Sequence, residues 1–389
     1  MYGTKGRPND SSGTVPRVIG CTEGDPGPTL LCLGSLHGNE PAGVTALRRV
    51  FAHLEAAGPP IKGEFVGIAG NLVALARSQR YVDHDLNRCW TSDRIEHLRN
   101  RNRLRAGSAV EDAEQLEILS EVDKAMARAR GDIFFLDLHT TSGNSPSFGT
   151  IADTLRNRAF ALQFPVPIIL GLEEHLEGTF LEYVNNRGYV TMGFEGGRHD
   201  DPNSIDRVEQ CVWLALAATR ILFRHDGMPQ IKHAHAGLSA AGKLFPRVLE
   251  VRYRHAVAGG DGFQMEPGFV SFQTVQAGQL LARDRTGSLT AFEDGRILMP
   301  LYQSQGEDGY FLMREFSTLW LKLSAFLRLL HFDSVFRLLP GVRRSPADPN
   351  TLIIRRRTAR WFALQVAHLL GYRKRRMDGE TLIVTRRPE

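Results

Sequence analysis

The sequence predicts an α/β chain: a mixed sheet flanked by helices, followed by a smaller β-rich region and a basic α/β extension. Three observations carry this reading. Up to about residue 225, short apolar runs of strand length alternate with segments of helical period, the pattern of a sheet covered on both faces. From about 230 to 313 the apolar period falls towards two and glycine turns recur at Gly259-Gly260, Gly268, Gly278, Gly287 and Gly295, as in antiparallel strands. Beyond 314 the charge changes character. Residues 341–389 hold twelve Lys or Arg against four Asp or Glu, a net of +8, whereas residues 1–340 total −3. The expected divisions are therefore 1–225, 226–313 and 314–389.

Taken in order, Thr29 to Leu36 reads as a buried strand, and Pro41 onward as a helix with Ala42, Leu47, Val50 and Leu54 on its apolar face. Between them lies Gly34-Ser35-Leu36-His37-Gly38-Asn39-Glu40. His37 and Glu40 thus sit on a strand-to-helix turn, at the carboxyl edge where open α/β sheets place ligands. An imidazole and a carboxylate three residues apart on a tight turn can converge on one cation. A catalytic zinc site needs two histidines and a carboxylate, with a fourth position left open, so a further histidine is required.

Arg80-Tyr81-Val82-Asp83-His84-Asp85-Leu86-Asn87-Arg88 follows, a loop whose two arginines and asparagine suit an anionic substrate, since a guanidinium matches a carboxylate with two parallel hydrogen bonds. Within it, His84 suits a hydrogen-bonding role better than ligation. Arg99, Arg101, Arg103 and Arg105 read as a solvated or substrate-steering loop. Glu111 to Arg130 is a helix, with Leu116, Leu119, Val122 and Met126 on one face. The run Asp132 to His139 is a second apolar strand that delivers His139 to the same sheet edge, with Asp137 one pleat earlier, placed to orient it. Tyr189 to Gly197 is a third, ending in Glu195 and two glycines that allow close backbone approach to a ligand. A carboxylate there suits taking a proton from metal-activated water. Ser204 to Phe223 is a helix with Val208, Val212, Leu216 and Ile221 roughly aligned. His233 and His235 read as exposed imidazoles on an interdomain linker. The extension holds a helical run (Phe316 to Phe336), a turn-rich break (Pro340 to Asn350), a strand (Thr351 to Ile354), a helix (Thr358 to Leu370) and a strand (Thr381 to Thr385).

The ordered set G-x-x-H-G-N-E, R-Y-x-D-x-D-L-N-R, D-L-H-T-T and a strand-terminal Glu resembles the succinylglutamate desuccinylase/aspartoacylase family over roughly the first 225 residues, and more weakly to about 313. The resemblance implies a zinc carboxypeptidase-like fold and one Zn(2+) per chain, held by His37, Glu40 and His139. It implies Glu195 as general base and then acid, Arg80 polarising the scissile carbonyl, and Asn87 and Arg88 gripping a substrate carboxylate. It also implies a tyrosine from the β-rich region at the site, best matched by Tyr310 with Tyr302 nearby, and a Tyr-x-x-x-Arg element, matched in spacing by Tyr183 and Arg187. In the family the β-rich domain rests on the catalytic half and narrows access to the metal. The expected activity is a zinc-dependent amidohydrolase acting on a small N-acyl amino acid or related carboxylate-bearing amide. A metallocarboxypeptidase or deacylase of a peptide-like metabolite is the alternative among enzymes, and a non-catalytic protein binding through the basic tail is the alternative outside them.

Composition agrees with a globular chain: 389 residues, 42% hydrophobic and 23% charged. The amino terminus shows no signal-like apolar stretch and no run of 18 apolar residues suggests a membrane span. Cys21, Cys32, Cys89 and Cys211 form no C-x-x-C pair, so a reduced, cytoplasmic setting is expected. The chain lacks a Gly-x-Ser-x-Gly elbow. The tail's clusters Arg355-Arg356-Arg357 and Arg373-Lys374-Arg375-Arg376 lack interleaved aromatics, which favours a solvated face or oligomerisation module over nucleic-acid binding.

Overall fold

The computed structural model describes residues 14–100, 108–222, 228–303, 305–332, 334, 340–346, 348–355, 362–378 and 381–387. The polar amino-terminal stretch up to residue 13, together with Arg101, Arg103, Arg105, Arg356 and Arg357, lies outside the described residues. The strands are β1 (Val18–Glu23), β2 (Asp25–Gly34), β3 (Lys62–Ala69), β4 (Ile133–Thr141), β5 (Phe148–Ile151), β6 (Ile168–Leu170), β7 (Val190–Arg198), β8 (Val248–Ala256), β9 (Gln264–Met265), β10 (Thr274–Val275), β11 (Leu280–Asp284), β12 (Gly287–Thr290), β13 (Gly295–Leu298), β14 (Asp308–Glu315), β15 (Val342–Arg344), β16 (Thr351–Arg355), β17 (Tyr372–Asp378) and β18 (Thr381–Arg386). The helices are α1 (Ala42–Ala57), α2 (Leu72–Ala76), α3 (Ser92–Asn100), α4 (Val110–Arg128), α5 (Leu155–Ala161), α6 (Leu172–His175), α7 (Phe180–Asn185), α8 (Pro202–Ala218), α9 (Pro229–Gly242), α10 (Thr318–Leu329) and α11 (Phe362–Leu369).

Eleven strands form one mixed sheet in the order β1-β3-β2-β4-β7-β5-β6-β8-β14-β13-β10. At its centre β3, β2, β4 and β7 are parallel, so β2, β4 and β7 end at one edge. Parallel strands are covered on both faces and read as continuous apolar runs; Leu30, Leu31, Cys32 and Leu33 are fully buried. Their side chains alternate between faces. Leu30, Cys32, Leu136 and Leu138 join the core beneath α1 and α8, whereas Leu31, Leu33 and Phe135 join the core beneath α4 and α7. The end of β2 meets the start of α1 closely: a Cβ on Gly34 would stand 2.6 Å from the Gly43 carbonyl carbon. Glycine at both positions lets the helix start directly over the site.

The strands of the β-rich region extend this sheet. β8 pairs parallel with β6, and β14 pairs antiparallel with β8. β12, β11 and β9 make a separate three-stranded sheet. The segment read as a linker with His233 and His235 is instead the helix α9, with Pro229 in its first turn and both histidines exposed. Proline at the first helical position was the available signal, because its missing N–H costs nothing there. The extension has a four-stranded sheet, β15-β16-β18-β17, and its own core of Val342, Leu352, Ile354, Leu370, Tyr372 and Val384. Arg328 of α10 is buried against Asp153, and Arg387 reaches Glu173 and Asn186. Among the described residues no helix is long and apolar enough to cross a membrane.

Candidate active site

The His-x-x-Glu turn is held by its own backbone. Ser35 adopts a left-handed conformation (φ 62°), and its Oγ donates to the Glu40 carbonyl at 2.8 Å. The Glu40 amide donates to the His37 carbonyl at 3.1 Å, and the Gly38 amide to the Arg80 carbonyl at 3.1 Å. A side chain on Gly38 would run into the Ala74 backbone. Strain of this kind clusters at functional turns.

His37 Nδ1 lies 2.9 Å from Glu40 Oε1, and His139 Nδ1 lies 3.0 Å from Glu40 Oε2. The far nitrogens are held by other carboxylates: His37 Nε2 is 3.1 Å from Asp85 Oδ1, and His139 Nε2 is 2.8 Å from Asp137 Oδ2. Ligand atoms of His37, Glu40 and His139 lie within 4.8 Å of one another. Two imidazole nitrogens and a carboxylate oxygen, each imidazole backed by a carboxylate, are the donor set of a catalytic zinc centre. The local charge suits a cation. Burial alone would push the Glu40 carboxyl up, yet His37 and His139 hold it well below the usual range. Burial would lower His139, yet Asp137 and Glu40 raise it well above the usual imidazole value. The residues fit the ion.

The register of the parallel strands places the rest. His139 on β4 pairs with Glu195 on β7, and Gly34 at the end of β2 pairs with Leu138. Glu195 is 8% exposed, and among the described residues its Oε2 has no hydrogen-bond partner. Burial pushes its carboxyl up to about 8, with Glu40 and Asp137 adding to the rise and His139 and Arg80 opposing it. Arg80 donates through Nε and Nη2 to Asp85 Oδ2, at 3.2 and 2.9 Å, with Nη1 3.8 Å from Glu40 Oε1. Asn87 accepts from the Phe180 amide at 2.9 Å. Arg88 pairs with Asp308 at 2.7 Å, which ties the arginine loop to β14. His37, Glu40, His139, Arg80, Asn87, Arg88 and Glu195 all line one cavity.

Three expected residues lie elsewhere. Tyr310 is buried between Tyr253 and His255, its ring stacked 5.3 Å from that of His255. Its neighbour Phe311 lines the cavity instead, because successive strand residues face opposite sides. Tyr183, on α7, is buried in the core on that side of the sheet, with the Arg187 guanidinium 3.5 Å over its ring, and neither lines the cavity. Tyr302 donates to the Glu266 carbonyl. Gly196 serves packing: a Cβ there would stand 2.5 Å from Val208 of α8. His84 accepts from Arg94 at 2.8 Å. Burial pushes Cys89 up to about 11, so its thiol is unreactive.

Sequence reasoning gave no role to Asp85, although it sits in the arginine-loop motif. Glu173, Thr150, Thr179 and His199 also line the cavity. The β-rich region contributes Met299, Leu301, Gln303 and Gly306 to Asp308 to its wall.

No curated protein matches the chain. Residues 26–195 match the family model of the Succinylglutamate desuccinylase/Aspartoacylase catalytic domain. Among solved structures, the chain is similar to a succinylglutamate desuccinylase/aspartoacylase from Rhodobacter sphaeroides, with 18% identity, 76% of this chain and 88% of that one covered, and a TM-score of 0.53. It is similar to the product-bound ectoine utilization protein EutE (DoeB) from Ruegeria pomeroyi, with 19% identity, 76% and 87% covered, and a TM-score of 0.50. Murine aminoacylase 3 aligns with 16% identity, 75% and 96% covered, and a TM-score of 0.50. These likenesses bear on the fold; the family likeness rests on the matched segment. Residues 26–195 are thus similar to the succinylglutamate desuccinylase/aspartoacylase catalytic domain, on a fold shared with these solved structures.

Proposed function

We propose that the chain is a zinc-dependent amidohydrolase that removes the acyl group from a small N-acyl amino acid or related carboxylate-bearing amide. The observation that carries the reading is the unpartnered Glu195 Oε2, buried in the same cavity as the His37, Glu40 and His139 cluster and Arg80. His37, Glu40 and His139 would hold the zinc, with Asp85 and Asp137 fixing the imidazoles. When bound, zinc would supply Lewis acidity and bring the pKa of water towards neutrality.

The remaining work belongs to the chain. Glu195 takes a proton from the attacking water and returns it to the leaving amine nitrogen, and its raised pKa suits both halves of that transfer. The Arg80 guanidinium, fixed by Asp85, points its positive charge at the amide oxygen where negative charge develops. Asn87 and Arg88 orient the substrate carboxylate. Leu301, Gln303 and Glu307 of the β-rich region add to the cavity wall, which suits a small substrate.

The test is amine release from a panel of N-acetyl, N-formyl and N-succinyl amino acids by the zinc-loaded protein, beside Glu195→Gln. Turnover of one class, lost in the variant while zinc content is kept, is the expected result. No release by fully metallated protein would overturn the amino-acid deacylase reading and turn attention to short peptides.

A further inference from the structure

The cavity does not end at Glu195. On β7, Gly193 lies two residues earlier and faces the same way; its register partners are Asp137 on β4 and Thr150 on β5. The row His139, Glu195, Phe148 at the sheet edge is thus followed, one pleat repeat or about 7 Å further in, by the row Asp137, Gly193, Thr150. A side chain on Gly193 would collide with Thr150 Oγ1, so glycine keeps the inner row open. Glu173 of α6, Thr150, Thr179, Leu172, Leu176 and Leu181 line this inner end.

Glu173 is the chemical centre of that space. It is 6% exposed. Thr150 Oγ1 donates to its Oε1 and Thr179 Oγ1 to its Oε2, both at 3.3 Å. Among the described residues its carboxylate forms no ion pair. Arg387 approaches from behind, but it donates to the Glu173 carbonyl at 3.2 Å and to Asn186 at 3.0 Å, and its charge lies 3.9 Å from Glu182. Glu174 is adjacent and Glu182 lies on α7, so Arg387 is shared among several carboxylates. Burial pushes the Glu173 carboxyl up to about 7, Arg387 pulling it down and Glu174 and Asp137 pushing it further up. A buried carboxylate with only two long hydroxyl contacts is stabilised by an arriving cation, and it repels a second carboxylate.

We infer that the inner end of the cavity, where Glu173, Thr150 and Thr179 converge, is the substrate's side-chain subsite and selects a side chain ending in a positive charge, such as that of lysine or ornithine. The inference rests on the deacylase reading for its orientation: the substrate carboxylate lies at Asn87 and Arg88, the acyl amide at Glu195, and the side chain runs inward along the Gly193 row. The leucines contact the methylenes and Glu173 meets the ammonium. The absence of Tyr183 and Arg187 from the cavity fits this, since neither is there to receive an acidic side chain.

Two measurements separate the subsite from the activity. In calorimetric titrations of the zinc-loaded protein with free lysine, ornithine, norleucine and glutamate, the cationic amino acids are expected to bind about tenfold or more tighter than norleucine, with glutamate weakest. Glu173→Gln is expected to erase that preference while retaining norleucine binding. Equal affinity for lysine and norleucine, tighter glutamate binding, no binding of any of the four, or a preference that survives in Glu173→Gln would each overturn the subsite. Turnover is then compared on Nα-acetyl-lysine, Nα-acetyl-norleucine and Nα-acetyl-glutamate. A cationic preference in binding with no turnover of any acetyl amino acid would keep the subsite and remove the deacylase reading. Turnover confined to the neutral or acidic substrates would do the reverse.

Discussion

The two ends of the cavity solve the burial of carboxylates in opposite ways. At the sheet edge, Glu40, Asp85 and Asp137 are each matched by imidazole or guanidinium groups within 3.1 Å, and His37 and Arg80 hold Asp85 well below the usual carboxylate range against its burial. At the inner end the Glu173 carboxylate is hydrogen-bonded, among the described residues, only by hydroxyls, and burial pushes it up to about 7 against the pull of Arg387. The difference teaches which groups are already balanced and which await a ligand. The outer carboxylates already have cationic or imidazole partners, whereas the proposed subsite would have its inner acid meet its cation only when a ligand arrives.

The strongest way to break this contrast is to remove the Glu195 carboxylate at the outer end. Glu195→Gln is expected to lower kcat by about 10²- to 10⁴-fold, the usual worth of a general acid–base group, with zinc content by elemental analysis unchanged. A variant retaining near-native rate would remove Glu195 from the chemistry.

Next come the matched carboxylates. Asp85→Asn and Asp137→Asn are each expected to weaken zinc binding by about 10- to 100-fold, read by competition with a chromophoric chelator. Unchanged affinity would make them packing residues instead.

The third prediction uses pH. Because folding raises the Glu173 pKa to about 7, the folded chain holds a proton there that the unfolded chain releases first. Stability from this group is therefore lost as pH rises from the ordinary glutamate range through about 7, on the order of 3 kcal/mol in all. Urea midpoints of the native chain and Glu173→Gln, measured at pH 5 and pH 8, should converge at the acid end and separate at the alkaline end, with the native chain weaker. Parallel curves would place the ionised acid in a better-balanced setting than described.

The smallest effect concerns Thr179, whose Oγ accepts from the Glu182 amide at 3.0 Å while donating to Glu173. Thr179→Ala removes the cap of α7 and is expected to cost about 1 kcal/mol, measurable as a lower thermal midpoint.

Part of the outer end was legible in the sequence because three of its residues lie at the ends of apolar runs. His37, His139 and Glu195 end or follow strands, and parallel pairing alone brings strand ends together. Asp85 was in view within its motif, but its task depends on which imidazole nitrogen faces it. The inner end was illegible. Glu173 sits on a helix of four residues and Thr150 on a strand of four, too short for any period, and they meet only because β5 runs antiparallel beside β7. Tyr310 shows the limit of spacing arguments in a strand, where a shift of one residue exchanges the two faces.

The continuity of the sheet past residue 225 has a mechanical consequence. The loop that walls the mouth is suspended between β13 and β14, which are laddered to each other and, through β8, to β6. Through β5 that ladder continues to the strands bearing His139 and Glu195. The wall contributed by Met299, Leu301, Glu307 and Asp308 and the strand pair that spaces His139 and Glu195 therefore belong to one hydrogen-bonded ladder.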